Sequence, residues 1–409
     1  MHKTALIHEW FTSLAGSEKV VEQICELYPS ADLFAVYADP KLVESTPFLQ
    51  GRNLHTSFIQ HLPDSAANFR SYLLLMPLAV EQFDLSSYDV VLSSNHAVAK
   101  GVLTGPDQLH ISYVHSPLRY AWDLQHQYLR EAGLTEGMKG WVAKWMLHKM
   151  RIWDYRTASG VDHFVANSRF IARRIQKVYG RKADVIYPPV DVTEFSIGTQ
   201  RESFYLAASR LVPYKRMDMI VEAFAAMPDR KLVVVGDGPE LAKVKAKAGP
   251  NVEILLYQPF EVLKDLMQRA RAFVFAAEED FGITLVEAQA CGTPVIALGK
   301  GGALETVVGL GSRGRPTGLF FHKQQVDSLI EAVETFERKG DVIEAAHCRE
   351  NALRFSRERF RREFASYVEH RRAAFPHGGV RHLRSEPNAR TTTGSDWPRP
   401  SHAELAVAE

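Results

Sequence analysis

Residues 271–298 read RAFVFAAEEDFGITLVEAQACGTPVIAL, and the pattern within them decides the fold. Positions 272–277 form an apolar run that predicts a buried strand, 278–280 an acidic turn, 283–291 a helix, and 295–298 a second apolar strand. Gly292 and Pro294 end the helix, as a glycine past the last turn and a proline beyond it should. The whole is a βαβ unit of a parallel sheet. In such sheets ligands bind beyond the carboxyl ends of the strands, where helix N-termini offer unpaired N–H groups to anions. Glu279 falls on that turn and Glu287 about one turn into the helix, with seven residues between them, so two carboxylates would face one crevice.

At 409 residues the chain exceeds what one hydrophobic core serves, and two domains are expected. Its 49 Lys and Arg nearly cancel 48 Asp and Glu, leaving a net charge of +1 and no global field that would favour nucleic acid. Cys25, Cys291 and Cys348 have neither paired nor metal-like spacing, which fits structural thiols in a reducing compartment. The opening MHKTALIHEW enters a strand almost at once, without the charged start and long apolar segment of a signal peptide. Apolar runs such as 73–80 fall short of the ~20 residues that span a bilayer. A soluble, cytoplasmic protein is expected.

Taken in order, the first strand is expected at 4–7, with a turn from His8-Glu9-Trp10 to Gly16-Ser17 and a helix at 18–27. A glycine at such a turn, Gly16 here, lets backbone approach a ligand closely. Further strands at 31–36, 90–92 and 111–114, alternating with helical patterns, predict a doubly wound parallel sheet. The last of these runs into His115-Ser116-Pro117-Leu118-Arg119-Tyr120-Ala121-Trp122-Asp123. A lone histidine is more often structural than catalytic, but a strand end before a proline turn makes His115 a site candidate.

From 139 to 182 the chain carries eleven Lys or Arg against Asp154 and Asp162, a local net of +9. Within it Val142, Met146, Met150 and Trp153 recur at helical spacing, with Trp141 and Trp145 beside them. This predicts a basic, tryptophan-rich amphipathic helix near 139–156, whose apolar face either rests on anionic lipid or packs on the sheet.

A strand at 161–166, a helix at 169–179 capped by Asn167-Ser168, and a strand at 183–186 lead to Tyr187-Pro188-Pro189 and a polar stretch that reads as a linker. The expected domains are therefore 1–187 and 201–350, joined by a linker at 188–200. The second begins with a strand at 204–208 that carries Ser209-Arg210-Leu211-Val212-Pro213-Tyr214-Lys215-Arg216 at its end. Strand 232–235 ends in Gly236-Asp237-Gly238-Pro239, strand 252–255 in Leu256-Tyr257-Gln258, and Gly301-Gly302-Ala303-Leu304-Glu305 forms a glycine turn into another helix, suited to N–H contacts with a ligand phosphate. A last strand is expected at 318–321, followed by helices at 326–337 and about 341–370. Phe355, Phe360, Phe364 and Tyr367 stripe the final helix, so that 351–375 can cross back to the first domain. The tail 376–409 has few core residues and is expected to be disordered.

The spacing Glu279-x7-Glu287, with Phe281-Gly282 before it and Ala290-Cys291-Gly292-Thr293-Pro294-Val295 after it, resembles the retaining glycosyltransferases of family 4. The His115-Ser116-Pro117 and Arg119-to-Asp123 strings, with His96 and Lys100 in SSNHAVAKG, are similar to the WbaZ-like subgroup, named for an O-antigen mannosyltransferase. The resemblance covers roughly residues 3–370 and implies the GT-B fold, two Rossmann-like domains facing across a cleft. It implies that Glu279 contacts the donor sugar, Glu287 the ribose of the nucleotide, and Arg210 and Lys215 the pyrophosphate. His115 would lie beside the sugar, with Gly16, Gly236, Asp237, Phe281 and Gly282 also at the donor. Relatives often have two adjacent glycines where this chain has Gly16-Ser17, and a glycine and a polar residue near Leu256-Tyr257, so the phosphate turn and the base are the least determined contacts.

The implied function is transfer of a sugar, mannose from GDP-mannose first, to a lipid-linked oligosaccharide in surface-polysaccharide synthesis. The course is a same-face displacement in which Arg210 and Lys215 stabilise the departing diphosphate, whose oxygen can take the acceptor proton, while Glu279 and His115 hold the sugar. No Asp-x-Asp occurs, and the reading requires neither metal nor cofactor, the nucleotide sugar being a substrate. A UDP-sugar donor, a non-catalytic nucleotide-sugar-binding partner of an assembly complex, and a nucleotide-sugar epimerase of the same fold are the alternatives. The basic helix would hold the protein peripherally on the inner face of the cytoplasmic membrane.

Overall fold

Two parallel sheets carry the chain. In the computed structural model, which describes residues 2–375, the first sheet contains β1 (Thr4–Phe11), β2 (Asp32–Ala38), β3 (Leu54–Thr56), β4 (Val90–Asn95), β5 (Leu109–Val114), β6 (His163–Ala166) and β7 (Ala183–Val185). The second contains β8 (Tyr205–Ala208), β9 (Leu232–Val235), β10 (Val252–Leu255), β11 (Ala272–Phe275), β12 (Val295–Leu298) and β13 (Gly318–Phe321). Their orders are β3-β2-β1-β4-β5-β6-β7 and β10-β9-β8-β11-β12-β13, and every pair is parallel. The expected tail, 376–409, lies outside the described residues.

Strands such as LVVV (Leu232–Val235) and VIAL (Val295–Leu298) are apolar throughout because helices cover both faces of the sheet. One face of the second sheet meets Leu285, Val286 and Phe355, the other Ile220, Phe224 and Val333. In both sheets the strand order reverses beside the first strand, between β1 and β4 and between β8 and β11. Doubly wound sheets open a crevice at that switch point. Beside it, beyond the carboxyl ends of β1, β5, β8 and β11, lie Gly16, His115, Lys215 and Glu279.

Three expectations change. β1 runs on to Phe11, so His8, Glu9 and Trp10 are strand and not turn; the strand is paired on both sides, Trp10 with Tyr37 and His8 with Ser94. The expected 341–370 helix is two, Ala345–Leu353 and Arg357–Ala374. It breaks because Val190 N–H bonds the Phe355 carbonyl at 2.8 Å where the chain crosses between sheets, and Ser356 then caps the new helix through Arg359 N–H. Phe360, Phe364 and Val368 of that helix pack in the core of the first sheet beside Leu6 and Tyr113.

The basic helix, Gly137–Thr157, is not cleanly amphipathic. Met150 is buried and Met146 and Trp153 half-buried, but Val142, Trp141, Trp145, Ile152 and Tyr155 are exposed. Among the described residues no helix is long and apolar enough to cross a membrane.

Candidate active site

On the second sheet, β11 ends in the acidic turn and the Ile283–Ala290 helix begins at Gly282. β8 ends in a loop whose short turn, Pro213–Lys215, is closed by Arg216 in the left-handed conformation, φ 54°. A non-glycine residue in that conformation is strained by roughly 1–2 kcal/mol, and the strain is met by the 217–225 helix that follows. The turn brings the Lys215 ammonium onto the Glu279 carboxylate. Gly301, at φ 61°, lets its loop lie on the same turn: a Cβ there would meet the Glu279 carbonyl at 2.4 Å. The Gly302 N–H donates to that carbonyl at 2.8 Å, so this glycine turn serves the Glu279 turn and does not offer Gly302 N–H to a donor phosphate.

On the first sheet, β1 leads to the helix Gly16–Leu27, whose Glu18 receives Ala15 N–H at 2.9 Å and meets His8 Nε2 at 3.3 Å. Burial alone would raise the Glu18 carboxyl, but its contact with His8 and the Ala15 N–H bring it down to about 2. His115, just beyond β5, is fixed by Ser94 Oγ at 2.9 Å from its Nε2, and its carbonyl accepts from Asn167 Nδ2 at 3.0 Å. Burial and the charge of His96 push its imidazole down to about 3, so it stays neutral.

The two edges enclose a polar cavity of about 420 Å³. Gly16, His115, Lys215, Glu279, Phe281 and Gly282 all line it, contributed by both sheets. A larger, mainly apolar cavity of about 750 Å³ adjoins it, walled by Met76, Leu129, Met146 and Leu147 and by Trp10 and Tyr214. His96 borders both.

Other candidates lie elsewhere. Arg210 lines the apolar cavity, away from Lys215, and its guanidinium has no ion-pair partner among the described residues. Glu287 faces Lys19 of the first helix at 3.5 Å; burial raises its carboxyl and Lys19 opposes the rise. Gly236 and Asp237 line neither cavity. A Cβ on Gly236 would meet the Ser209 carbonyl at 1.9 Å, so this glycine packs β9's end under the Arg210 loop. Tyr257 is 79% exposed.

Contacts across the cleft were not anticipated. Asp280 pairs with Arg119 and, at 3.1 Å, with Arg174, and its carbonyl accepts Ser168 Oγ at 2.6 Å. Glu305 receives the N–H groups of Arg169 and Phe170 at 2.8 and 2.9 Å. The one available signal was chemical: Asp280 and Glu305 are acidic residues next to motif positions, and Arg119 lies within the His115 string.

Two family models match consecutive stretches of the chain, glycosyltransferase family 4 over residues 15–194 and glycosyl transferases group 1 over residues 193–355. A D-inositol 3-phosphate glycosyltransferase of Mycobacterium sp. (strain JLS) is 28% identical over 224 residues, 47% of this chain and 50% of its own. A GDP-mannose-dependent monoacylated alpha-(1-6)-phosphatidylinositol monomannoside mannosyltransferase of Corynebacterium glutamicum is 30% identical over 202 residues, 42% of this chain and 51% of its own. The chain thus spans about half the length of the curated relatives it matches. Sucrose-phosphate synthase from Thermosynechococcus elongatus superposes with a TM-score of 0.67 at 18% identity, over 91% of this chain and 100% of that one. Anabaena HepE, solved with UDP and glucose, gives 0.62 at 17% identity, over 90% and 100%. At those identities the likeness is one of fold, and the fold is GT-B. The two halves of the chain are thus similar to glycosyltransferases, the first to the family 4 model and the second to the group 1 model, on two sheets wound as in the GT-B fold.

Proposed function

We propose that the chain transfers a sugar from a nucleotide diphosphate to an acceptor hydroxyl with retention of configuration. The observation that carries this reading is the Lys215–Glu279 contact at the rim of the polar cavity, opposite His115 and the start of the first helix. Lys215 is placed to neutralise a departing diphosphate, and Glu279 and the neutral His115 to hold sugar hydroxyls. Arg210, unpaired and on the same loop, is free to turn onto the diphosphate, and Glu287 takes the ribose once Lys19 yields. Catalysis is then positioning and electrostatic stabilisation, without a protein nucleophile.

Mannose from GDP-mannose is the first donor to test, supported by the subgroup motifs and by the Corynebacterium relative's GDP-mannose dependence. The proposed acceptor is a lipid-linked oligosaccharide of surface-polysaccharide synthesis. The apolar cavity supports an amphiphilic acceptor, and the helix that walls it with Met146 and Leu147 exposes Trp141, Trp145, Lys139, Lys144 and Lys149 outward. Such a face suits peripheral binding to anionic lipid, each basic residue contributing ~1 kcal/mol. Flotation with phosphatidylglycerol liposomes, lost on changing Lys144, Lys149 and Arg151 to Glu, supports it; no flotation of the wild type removes it.

The deciding experiment is a thermal-shift comparison of GDP, UDP, GDP-mannose and UDP-glucose, with Lys215→Ala and Arg210→Ala alongside. A ligand at about one hundred times its dissociation constant stabilises the fold by ~2.7 kcal/mol. Stabilisation by guanine ligands, lost in the variants, supports a GDP-sugar transferase. A uracil preference keeps the class and discards mannose. No response to any of the four defeats the donor site.

A further inference from the structure

The apolar cavity holds a cation that the roles above leave unused. Arg70, exposed in the short turn Phe69–Tyr72, is one of its lining residues. The guanidinium lies over the rings of Phe69 and Trp10, 5.2 and 6.0 Å from their centroids, and has neither a hydrogen-bond nor an ion-pair partner among the described residues. Phe69 is buried and stacks on Tyr37 with centroids 5.2 Å apart, so the platform beneath the cation is itself held. The rings place the guanidinium without using any of its five N–H donors. Those donors form a planar fork that fits the oxygens of a phosphate.

Both walls of the cavity also face outward. The 72–80 segment lines it with Leu73 and Met76 and leaves Leu74, Leu75 and Leu78 exposed. The basic helix lines it with Met146 and Leu147 and leaves Trp141 and Trp145 exposed. Exposed apolar groups gathered on segments that share a cavity mark an interaction surface. In the other direction, Trp10 meets His96 edge-on with centroids 4.9 Å apart, and His96 borders the polar cavity as well. Arg70 is thus one aromatic ring away from the junction of the two cavities.

The charges around the apolar cavity favour an anion. Arg210, on the loop of Lys215, is its second guanidinium. Glu131 is the one carboxylate among the lining residues, and it accepts Gln127 Nε2 at 2.8 Å. Hydrocarbon walls, a fork of donors without a protein acceptor, and a polar cavity beyond it match three parts of one molecule: an apolar chain, a phosphate and a sugar.

We infer that Arg70 binds the phosphate of a lipid phosphate or diphosphate acceptor whose chain lies between the 72–80 segment and the basic helix, an inference that rests on the glycosyltransferase reading above. The acceptor is then recognised at its lipid phosphate as well as at its sugar, and a free oligosaccharide, lacking both chain and anion, is a poor substrate. At about 750 Å³ the cavity has the size of a small-molecule pocket and encloses only the start of a long chain. The remainder is left to the exposed leucines and tryptophans of the two walls.

The test uses geranyl diphosphate, a short water-soluble isoprenoid diphosphate, with geraniol and inorganic pyrophosphate as its two halves. Each is titrated by calorimetry into the full chain, alone and with saturating GDP or UDP to fill the donor site. With nucleotide present, geranyl diphosphate is expected to bind the wild type at least about tenfold more tightly than either half, and as well as it does without nucleotide. Arg70→Gln should weaken it about 10–100-fold, and Arg70→Lys should recover part of that loss, having the charge without the fork. Met146→Gln should weaken geranyl diphosphate and leave pyrophosphate unchanged; should Arg70→Gln fail to fold, Arg70→Lys and Met146→Gln decide. Geraniol or pyrophosphate binding as tightly as geranyl diphosphate, displacement of geranyl diphosphate by the nucleotide, or an affinity unchanged in Arg70→Gln each overturns the inference. A wild type that binds nucleotide but not geranyl diphosphate overturns the lipid site and leaves the donor reading standing. One that binds geranyl diphosphate through Arg70 but neither nucleotide overturns the donor reading and keeps the lipid site.

Discussion

Glu305 caps a helix of the opposite domain: its carboxylate receives the N–H of Phe170 at 2.9 Å, in the first turn of the Arg169–Tyr179 helix. Ser168 Oγ takes Ile171 N–H at 3.1 Å and Glu305 also takes Arg169 N–H, so three of the helix's four unpaired N–H groups are met. A cap is worth ~1 kcal/mol, somewhat more when the acceptor is charged. Glu305→Ala is therefore expected to cost about 1–2 kcal/mol in urea denaturation and to widen the ligand-free cleft. Small-angle scattering would show the widening as a larger radius of gyration. Unchanged dimensions would mean that Asp280 with Arg119 and Arg174 holds the domains without it.

Lys215 and Glu279 occupy one another in the free chain. A diphosphate has to compete with Glu279 for the ammonium, whereas a bound sugar gains from Glu279. Glu279→Gln should act with opposite signs on the two. For a partly exposed pair worth about 1 kcal/mol, GDP and UDP are expected to bind roughly fivefold tighter by calorimetry. Sugar transfer or donor hydrolysis should fall about 100-fold. Weaker binding of the free nucleotides would show that Glu279 serves the nucleotide and not the sugar.

Much of the fold is legible because local signals agree. In 271–298, apolar strands, glycine, proline and helix length all point to one βαβ unit. Which residues line the polar cavity is legible only where a motif fixes a position on a strand end, as for Glu279, Lys215 and His115. Spacing does not say which way a loop side chain turns, and Arg210, five residues from Lys215, enters the other cavity. His8-Glu9-Trp10 looks like a turn because a glutamate inside a strand is costly unless paired. Its partners are N–H groups of residues 96–99, which only the folded sheet brings to it. Glu305 and the helix it caps are similarly far apart in sequence, and no local pattern links them.

Lys100 and Asp154 are both 0% exposed, with Nζ 2.8 Å from Oδ1. Trp122 Nε1 at 2.7 Å and Tyr179 OH at 3.1 Å complete the carboxylate's bonds, and Thr157 Oγ1 at 2.7 Å and the Asp154 carbonyl at 2.8 Å those of the ammonium. The group ties the strand-end loop after β4 to the 119–123 string and the basic helix. Lys100→Met removes one charge and strands the other, which costs ~3–5 kcal/mol. The double variant Lys100→Met with Asp154→Leu should recover part of that loss, measurable by urea denaturation. A double variant less stable than Lys100→Met would show that Trp122 and Tyr179 need the carboxylate more than the ammonium does.

His110, in β5, is buried, with Ser93 Oγ 2.9 Å from Nε2 and the Gly160 carbonyl 3.2 Å from Nδ1. Burial pushes its imidazole down to about 4, the Gly160 carbonyl opposing and Lys100 adding to the effect. Between that value and the ordinary histidine range the unfolded chain binds a proton that the folded chain does not. Stability therefore rises with pH across this window and is lost as the pH falls from about 6.5 toward 4, by up to about 3 kcal/mol from this residue. His115 contributes in the same direction and extends the loss to lower pH. His110→Gln keeps a polar group near Ser93 but does not titrate. Urea midpoints of the wild type and of His110→Gln should converge as the solution is acidified from pH 7 to pH 4. Parallel curves over that range would mean that His110 takes up its proton in the folded protein as readily as in the unfolded chain.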